Sequence, residues 1–240
     1  MSVGLSLSYV ARNLVARKLT TILTASGMAL VVFVFATVLM MAAGLRQTLG
    51  GTGSASNVVV IRQGAQTEVQ STISREQVNL IATLPGLASD ADGQPRVSPE
   101  VLVLVNLPRK DSGGLANVVV RGTTAHGLEL RPQAKLVAGR TFRPGSSEII
   151  VGSGIARGKI GLALGNTLNF GLRSWTVVGI FDAGSSGFNS EIWGDSDQMM
   201  QAFRRSAFSS VIVGLRDAAS YEHSADALAK QPKMKVDIKR

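Results

Sequence analysis

Three carboxylates, Glu191, Asp195 and Asp197, flank Trp193, and paired carboxylates perform acid-base chemistry when held at a suitable separation. Their local pattern points elsewhere. Asp195 stands where a helix N-cap belongs, Asp197 suits a helix N-terminus electrostatically, and Glu191 alternates with Trp193 on one strand face. The turn Gly184-Ser185-Ser186-Gly187 lacks the Gly-x-Ser-x-Gly spacing of a nucleophile elbow, so its serines read as loop residues. Gly152-Ser153-Gly154, after a strand-like run, invites a phosphate-loop reading, but Arg157 stands where the third glycine is required, and a tight strand-to-helix turn remains. His126 and His223 lack companions at metal-ligand spacing. With zero cysteines, disulfides, thiolate metal sites and thiol nucleophiles are excluded together. The sequence thus nominates no catalytic, cofactor-binding or metal-ligating residue.

The elements that would carry such groups begin with an apolar segment. From Leu19 to Leu45 there is no ionisable side chain, and at about 1.5 Å per residue this run crosses a bilayer with some tilt. Arg12, Arg17 and Lys18 precede it and the first acidic residue is Glu68, which predicts a cytoplasmic N-terminus and an extracytoplasmic remainder. Length and flanks argue against a cleaved signal peptide, for which Ala42-Ala43-Gly44 is the one candidate site. Ahead of the span, Val3, Leu7, Val10 and Leu14 make an apolar helical stripe, either an interfacial helix or an extension of the span. Ala25, Ala29, Ala36 and Ala43 fall near one face of the span, where small residues let a partner helix approach.

The expected organisation is residues 1–18 as a cytoplasmic or interfacial lead, 19–45 as a transmembrane helix, and 46–240 as an α+β extracytoplasmic domain of one or two subdomains. The mean hydropathy of +0.22 suits a single span joined to a soluble domain. Of the net charge of +9, four charges stand on Arg12, Arg17, Lys18 and Arg46 and +5 falls after Arg46, where basic residues are interleaved singly with acidic ones, which speaks against nucleic-acid binding. Gly50-Gly51-Thr52-Gly53-Ser54 reads as a linker. Strand-like runs follow at 57–61, 101–105, 118–121, 148–151, 168–170, 175–181, 191–193 and 210–215. Three short helices are expected: one capped by Ser74 with Gln77 and ending at Leu84-Pro85-Gly86, one capped by Asp195, and one over about 219–229. Ser89 to Gly93 reads as a polar turn, and the gap between Leu107 and Asn117 as a hairpin tip or a subdomain boundary.

The order of glycine-punctuated strands is itself distinctive. Val119-Val120-Arg121-Gly122, Leu136-Val137-Ala138-Gly139-Arg140-Thr141-Phe142, Ser147-Glu148-Ile149-Ile150-Val151-Gly152, Gly165-Asn166-Thr167-Leu168, Trp175-Thr176-Val177-Val178-Gly179-Ile180-Phe181, Ser190-Glu191-Ile192-Trp193 and Ser209-Ser210-Val211 together resemble the extracytoplasmic core domain of MacB/FtsX-type ABC transporter permeases. Ala11-Arg12-Asn13-Leu14 and Arg17-Lys18-Leu19-Thr20-Thr21 are similar to the opening of that family's first membrane helix. The resemblance implies a bacterial inner-membrane permease subunit whose periplasmic domain lies between the first two of four membrane helices. It also implies a homo- or heterodimer of permease chains, a cytosolic ATPase subunit that holds ATP-Mg, and a periplasmic adaptor, with no cofactor on this chain. The family continues past the position of Arg240 into three further membrane helices and the ATPase-binding loop, so a fragment or a truncated product is expected. The competing expectations are a singly anchored binding module that works without an ATPase, and an anchored hydrolase using Ser186 or Glu191. Nothing in the loops selects a cargo.

Overall fold

The computed structural model describes residues 12, 15–50, 56–109, 113–158, 160, 162–217, 220–229 and 234–239. The lead stripe of Val3, Leu7, Val10 and Leu14, the connector at 51–55 and the hairpin residues 110–112 lie outside them. The chain divides into two units, Met1–Thr48 and Leu49–Arg240.

The first unit is helical. Helix α1 spans Lys18–Gly50. Its stretch Lys18–Arg46 has a mean hydropathy of 2.5 and is the one helix, among the described residues, long and apolar enough to cross a membrane. Leu30, Val31, Val32 and Phe33 are consecutive and all exposed, so the apolar surface runs around the cylinder instead of along one stripe. Three of its threonines bond back to the helix: Thr21 Oγ1 donates to the Arg17 carbonyl, Thr24 Oγ1 to the Thr20 carbonyl and Thr37 Oγ1 to the Phe33 carbonyl. Such back-bonding removes the cost of carrying a hydroxyl into hydrocarbon.

The second unit is built on a ten-stranded mixed sheet. In chain order its elements are β1 (Asn57–Arg62), α2 (Arg75–Ile81), β2 (Val97–Pro108), β3 (Leu115–Thr123), α3 (Ala125–Glu129), β4 (Lys135–Gly139), β5 (Glu148–Gly152), α4 (Ser153–Arg157), β6 (Thr167–Phe170), β7 (Arg173–Asp182), β8 (Glu191–Asp195), α5 (Ser196–Ala202), β9 (Ser210–Gly214), α6 (Ser220–Ala229) and β10 (Val236–Lys239). Two short 3-10 turns, Glu68–Gln70 and Gly187–Ser190, complete it. The strand order is β10-β1-β9-β2-β3-β8-β5-β7-β4, with β6 also on β7. The β3/β8 and β5/β7 pairs are parallel and the others antiparallel. The α+β expectation therefore holds.

Strand β2 is the member shared by two half-sheets. Val97–Glu100 pair with β9, whereas Val101–Pro108 pair with β3. The first half packs Val58 and Val60 of β1 and Val211 and Val213 of β9 against Ile81 of α2 and Leu228 of α6. In the second half, Val120, Ile149, Val151, Trp175 and Ile192 share one core with Met199 of α5. Its opposite face holds Ile150, Phe181, Phe188 and Trp193. Because both faces of this half are covered, β5 is apolar at every central position and shows no alternation of polarity.

Several local expectations take definite form. Ser74 and Gln77 make both bonds of a capping box on α2. Asp90 Oδ1 accepts from the amides of Asp92 and Gln94, closing the Ser89–Gly93 turn. The gap between Leu107 and Asn117 is the β2–β3 hairpin, with Pro108 opposite Leu115. Among the described residues five short helices decorate the sheet where three were expected. The additional α3 and α4 are single turns of five residues, too short to carry a periodic apolar stripe.

Candidate functional site

The sequence-flagged groups resolve into structural roles. Asp195 accepts from the Gln198 amide at 2.9 Å and caps α5, and Asp197 pairs with Arg75 at the surface. Ser186 Oγ accepts from the Phe188 amide and opens the second 3-10 turn. Gly152 and Gly154 pack against that turn: a Cβ on Gly152 would lie 2.3 Å from the Asn189 carbonyl oxygen. Close backbone approach is what these glycines serve here. His126 sits between Asp90, at 3.6 Å, and Glu129, at 3.5 Å, on opposite ring nitrogens, and the described residues hold no cluster suited to a metal. The side chain of His223 lies outside those described.

Of the flagged carboxylates only Glu191 enters a concentration of charge, and that concentration lies where β2 changes partner. Arg121, pointing from β3 into the sheet junction, donates to Glu191 through Nε at 2.7 Å and Nη2 at 2.9 Å. Its Nη1 reaches Glu100 of β2 at 2.8 Å and Glu68 of the first 3-10 turn at 3.2 Å. Arg131, just beyond α3, grips Glu100 with both Nη atoms at 2.6 and 2.7 Å and also donates to the Gly127 carbonyl. Thr123 Oγ1 donates to Glu100, Ser210 Oγ to Glu68, and Trp193 Nε1 to Glu191. Glu100 is fully buried, Arg121 and Arg131 nearly so.

Aromatic faces close the cluster. The Arg131 guanidinium lies 5.2 Å from the Phe188 ring centre and 5.4 Å from that of Trp193, and Arg121 lies 5.5 Å from Phe188. Trp193 in turn stacks on Phe181 at 4.3 Å. Aromatic quadrupoles attract the cations while shutting out water. Burial by itself would raise the Glu100 carboxyl, but the charges of Arg131 and Arg121, with hydrogen bonds from Arg131 and Thr123, hold it down at about 2. Burial works against the Arg121 cation as well, and Glu191, Glu68 and Glu100 outweigh it and hold Arg121 charged. A Glu100 carboxylate kept ionised at neutral pH offers no proton, so this arrangement does electrostatic and geometric work.

Glu68, Glu100, Arg121 and Arg131 carry no common spacing in the sequence, because they come from the first 3-10 turn, β2, β3 and the segment after α3. A signal existed: Glu100 and Arg121 each interrupt a run of Val, Leu or Pro at strand positions. A charge in such a place needs a partner from elsewhere in the chain.

The likenesses of this chain agree with its topology. The family described as the MacB-like periplasmic core domain matches residues 21–231. Among solved structures, the periplasmic region of MacB from Actinobacillus actinomycetemcomitans shares 14% identity at a TM-score of 0.59, covering 80% of this chain and 91% of that one. The extracellular domain of the noncanonic ABC-type transporter YknZ from Gram-positive bacteria shares 15% identity at 0.57, covering 77% of this chain and 100% of that one. A domain of a putative permease from Porphyromonas gingivalis shares 15% identity at 0.51, over 77% and 88%. Curated protein sequences show no significant match. With the family match spanning most of the second unit and most of the apolar helix, the chain belongs to the MacB-like periplasmic core domain family of ABC transporter permeases.

Proposed function

We propose that this chain is the membrane-anchored outer-domain part of an ABC permease. In this reading a partner ATPase hydrolyses ATP-Mg in the cytosol, and the permease transmits that work to the periplasmic domain to export or extract a substrate. The observation that supports it best is the pairing of β10 with β1, which sets Lys239 opposite Val59. A domain whose first strand and last described strand lie side by side is suited to insertion between two consecutive membrane helices.

The basic residues before α1 support a cytoplasmic N-terminus in the inner membrane, with the second unit on the periplasmic side. The chain binds no cofactor of its own in this reading, and pairs with a second permease chain. ATP binding then biases two arrangements of the membrane helices, and the domain follows. Copurification of the intact permease with its neighbouring ATPase, followed by distance measurement on the outer domain with and without nucleotide, tests this. A stable complex and a nucleotide-dependent shift are expected; failure to copurify and one unchanged distance would overturn the reading.

A further inference from the structure

The charge cluster is divided between the half-sheets in an ordered way. Glu68 and Glu100 belong to the half formed by β10, β1, β9 and the start of β2. Arg121 belongs to the half that begins with the rest of β2 and β3, and Arg131 lies over the junction: it stacks on Phe188 and Trp193 of that half, while its neighbour Leu130 accepts from Asn57 Nδ2 of β1. The carboxylates that cross the junction therefore come from one side, with Arg121 on the other and Arg131 braced between the two. The bonds of Arg121 to Glu68 and Glu100 span it, as do the contacts of Ser98 with Thr123 and Thr124. Glu191 stays on the cationic side and aligns Arg121.

The opposite face of the junction is different in kind. There Val101 packs with Met200 and Phe208, flanked by Val78 and Val103. Dispersion contacts of this sort are weakly directional, whereas a two-pronged guanidinium–carboxylate pair is specific in angle and distance. On its β9 side the backbone between the faces also leaves the regular ladder, while Val101–Pro108 stay paired with β3. The last β2–β9 pair is Glu100 with Ser210, and one step later the Leu102 amide is met by Ser209 Oγ at 2.9 Å while Arg205 donates to the Leu102 carbonyl. Side chains there replace strand bonds and can exchange for water more readily than a ladder can.

We propose that the junction at Glu100 and Val101 is a hinge between the half-sheets, with the Glu100–Arg131–Arg121–Glu68 cluster as a latch that selects the observed arrangement. On opening, both sides of the latch become hydrated, which offsets part of the lost pairing. The apolar face stays in contact and serves as the bearing. The inference rests on the reading that this domain moves within a permease, but its test needs no ATPase.

The absence of native cysteine permits paired spin labels at Asn79→Cys on α2 and Thr167→Cys on β6, exposed positions on opposite halves. Distances are measured by double electron-electron resonance on the full chain in detergent. The unaltered latch is expected to show one dominant distance. Glu100→Gln and the milder Arg131→Lys are each expected to raise a second population at least tenfold. Native-state hydrogen exchange of the unaltered chain provides a check that needs no latch variant. The Leu102 amide should exchange through an opening at least a hundredfold more frequent than that exposing the Val60 and Val120 amides. An unchanged single distance in both variants, or a Leu102 amide that exchanges only with the two cores, overturns the latch. Such a result leaves the ATPase coupling to be judged by copurification.

Discussion

Replacing Arg131 with Met removes both of the bonds that Arg131 makes to Glu100, while Glu100 stays fully buried. The carboxylate then retains Arg121 Nη1 and Thr123, and the cluster holds three carboxylates against one guanidinium. Breaking one side of a buried ion pair costs about 3–5 kcal/mol, because the surviving charge has lost its compensation without regaining water. For a domain of this size that corresponds to a fall in Tm of about 10 °C. The chain has two tryptophans, Trp175 and Trp193, both fully buried in the second unit, so intrinsic fluorescence of the full chain in detergent follows that unit and not α1. The double substitution Glu100→Leu with Arg131→Met removes one charge of each sign and leaves Arg121 with Glu191 and Glu68. It is expected to recover most of the loss, to within about 2 kcal/mol of the native stability, since apolar replacement of a whole buried pair is often neutral. A single variant that loses less than about 1 kcal/mol, or a double variant as unstable as the sum of its parts, would refute the account of the cluster as a mutually dependent unit.

Acid should act through the same carboxylate. Glu100 has its folded value lowered from 4.5 to about 2, so the stability it contributes is complete above pH 4.5 and drains away as pH falls toward 2. A stability-against-pH titration of Glu100→Gln should lie below the native curve at pH 7 and converge with it near pH 2; parallel curves would remove Glu100 from the acid response. Gly152→Ala puts a methyl 2.3 Å from the Asn189 carbonyl oxygen and should cost about 1–3 kcal/mol by forcing β5 and the facing turn apart. A denaturant midpoint equal to that of the native chain would contradict it. Asp195→Ala deletes the α5 cap and should cost about 1 kcal/mol, with Asp195→Asn losing much less. Equal losses in the two would show that charge, and not the hydrogen-bond acceptor, is what matters there.

Much of the architecture was legible because its causes are local. The uncharged run after Lys18 reports its environment residue by residue, since no globular core tolerates so continuous an apolar cylinder at its surface. Ser74 with Gln77, and Asp195 with Gln198, announce helix starts through bonds that span three residues. Strand runs such as Val118–Arg121 were recognisable from β-branching, although their ends were not. Strand ends depend on partners: β2 extends to Pro108 only because Leu115 lies opposite, and β4 and β10 exist as strands because β7 and β1 offer edges.

The sequence by itself determined the membrane-spanning helix, the strand-rich class and the family resemblance, all of which rest on short-range periodicity or on the order of motifs along the chain. Tertiary structure alone decided the use of the charges. Glu191, singled out with Asp195 and Asp197, proved to share its setting with neither, but with Arg121, seventy positions earlier in the chain. Glu100 and Arg131 meet only because β2 leaves β9 for β3 at that point and α3 carries Arg131 back over the junction. A buried charge is tolerated when its partner arrives from another element, and sheet topology, which no local pattern encodes, settles which element that is.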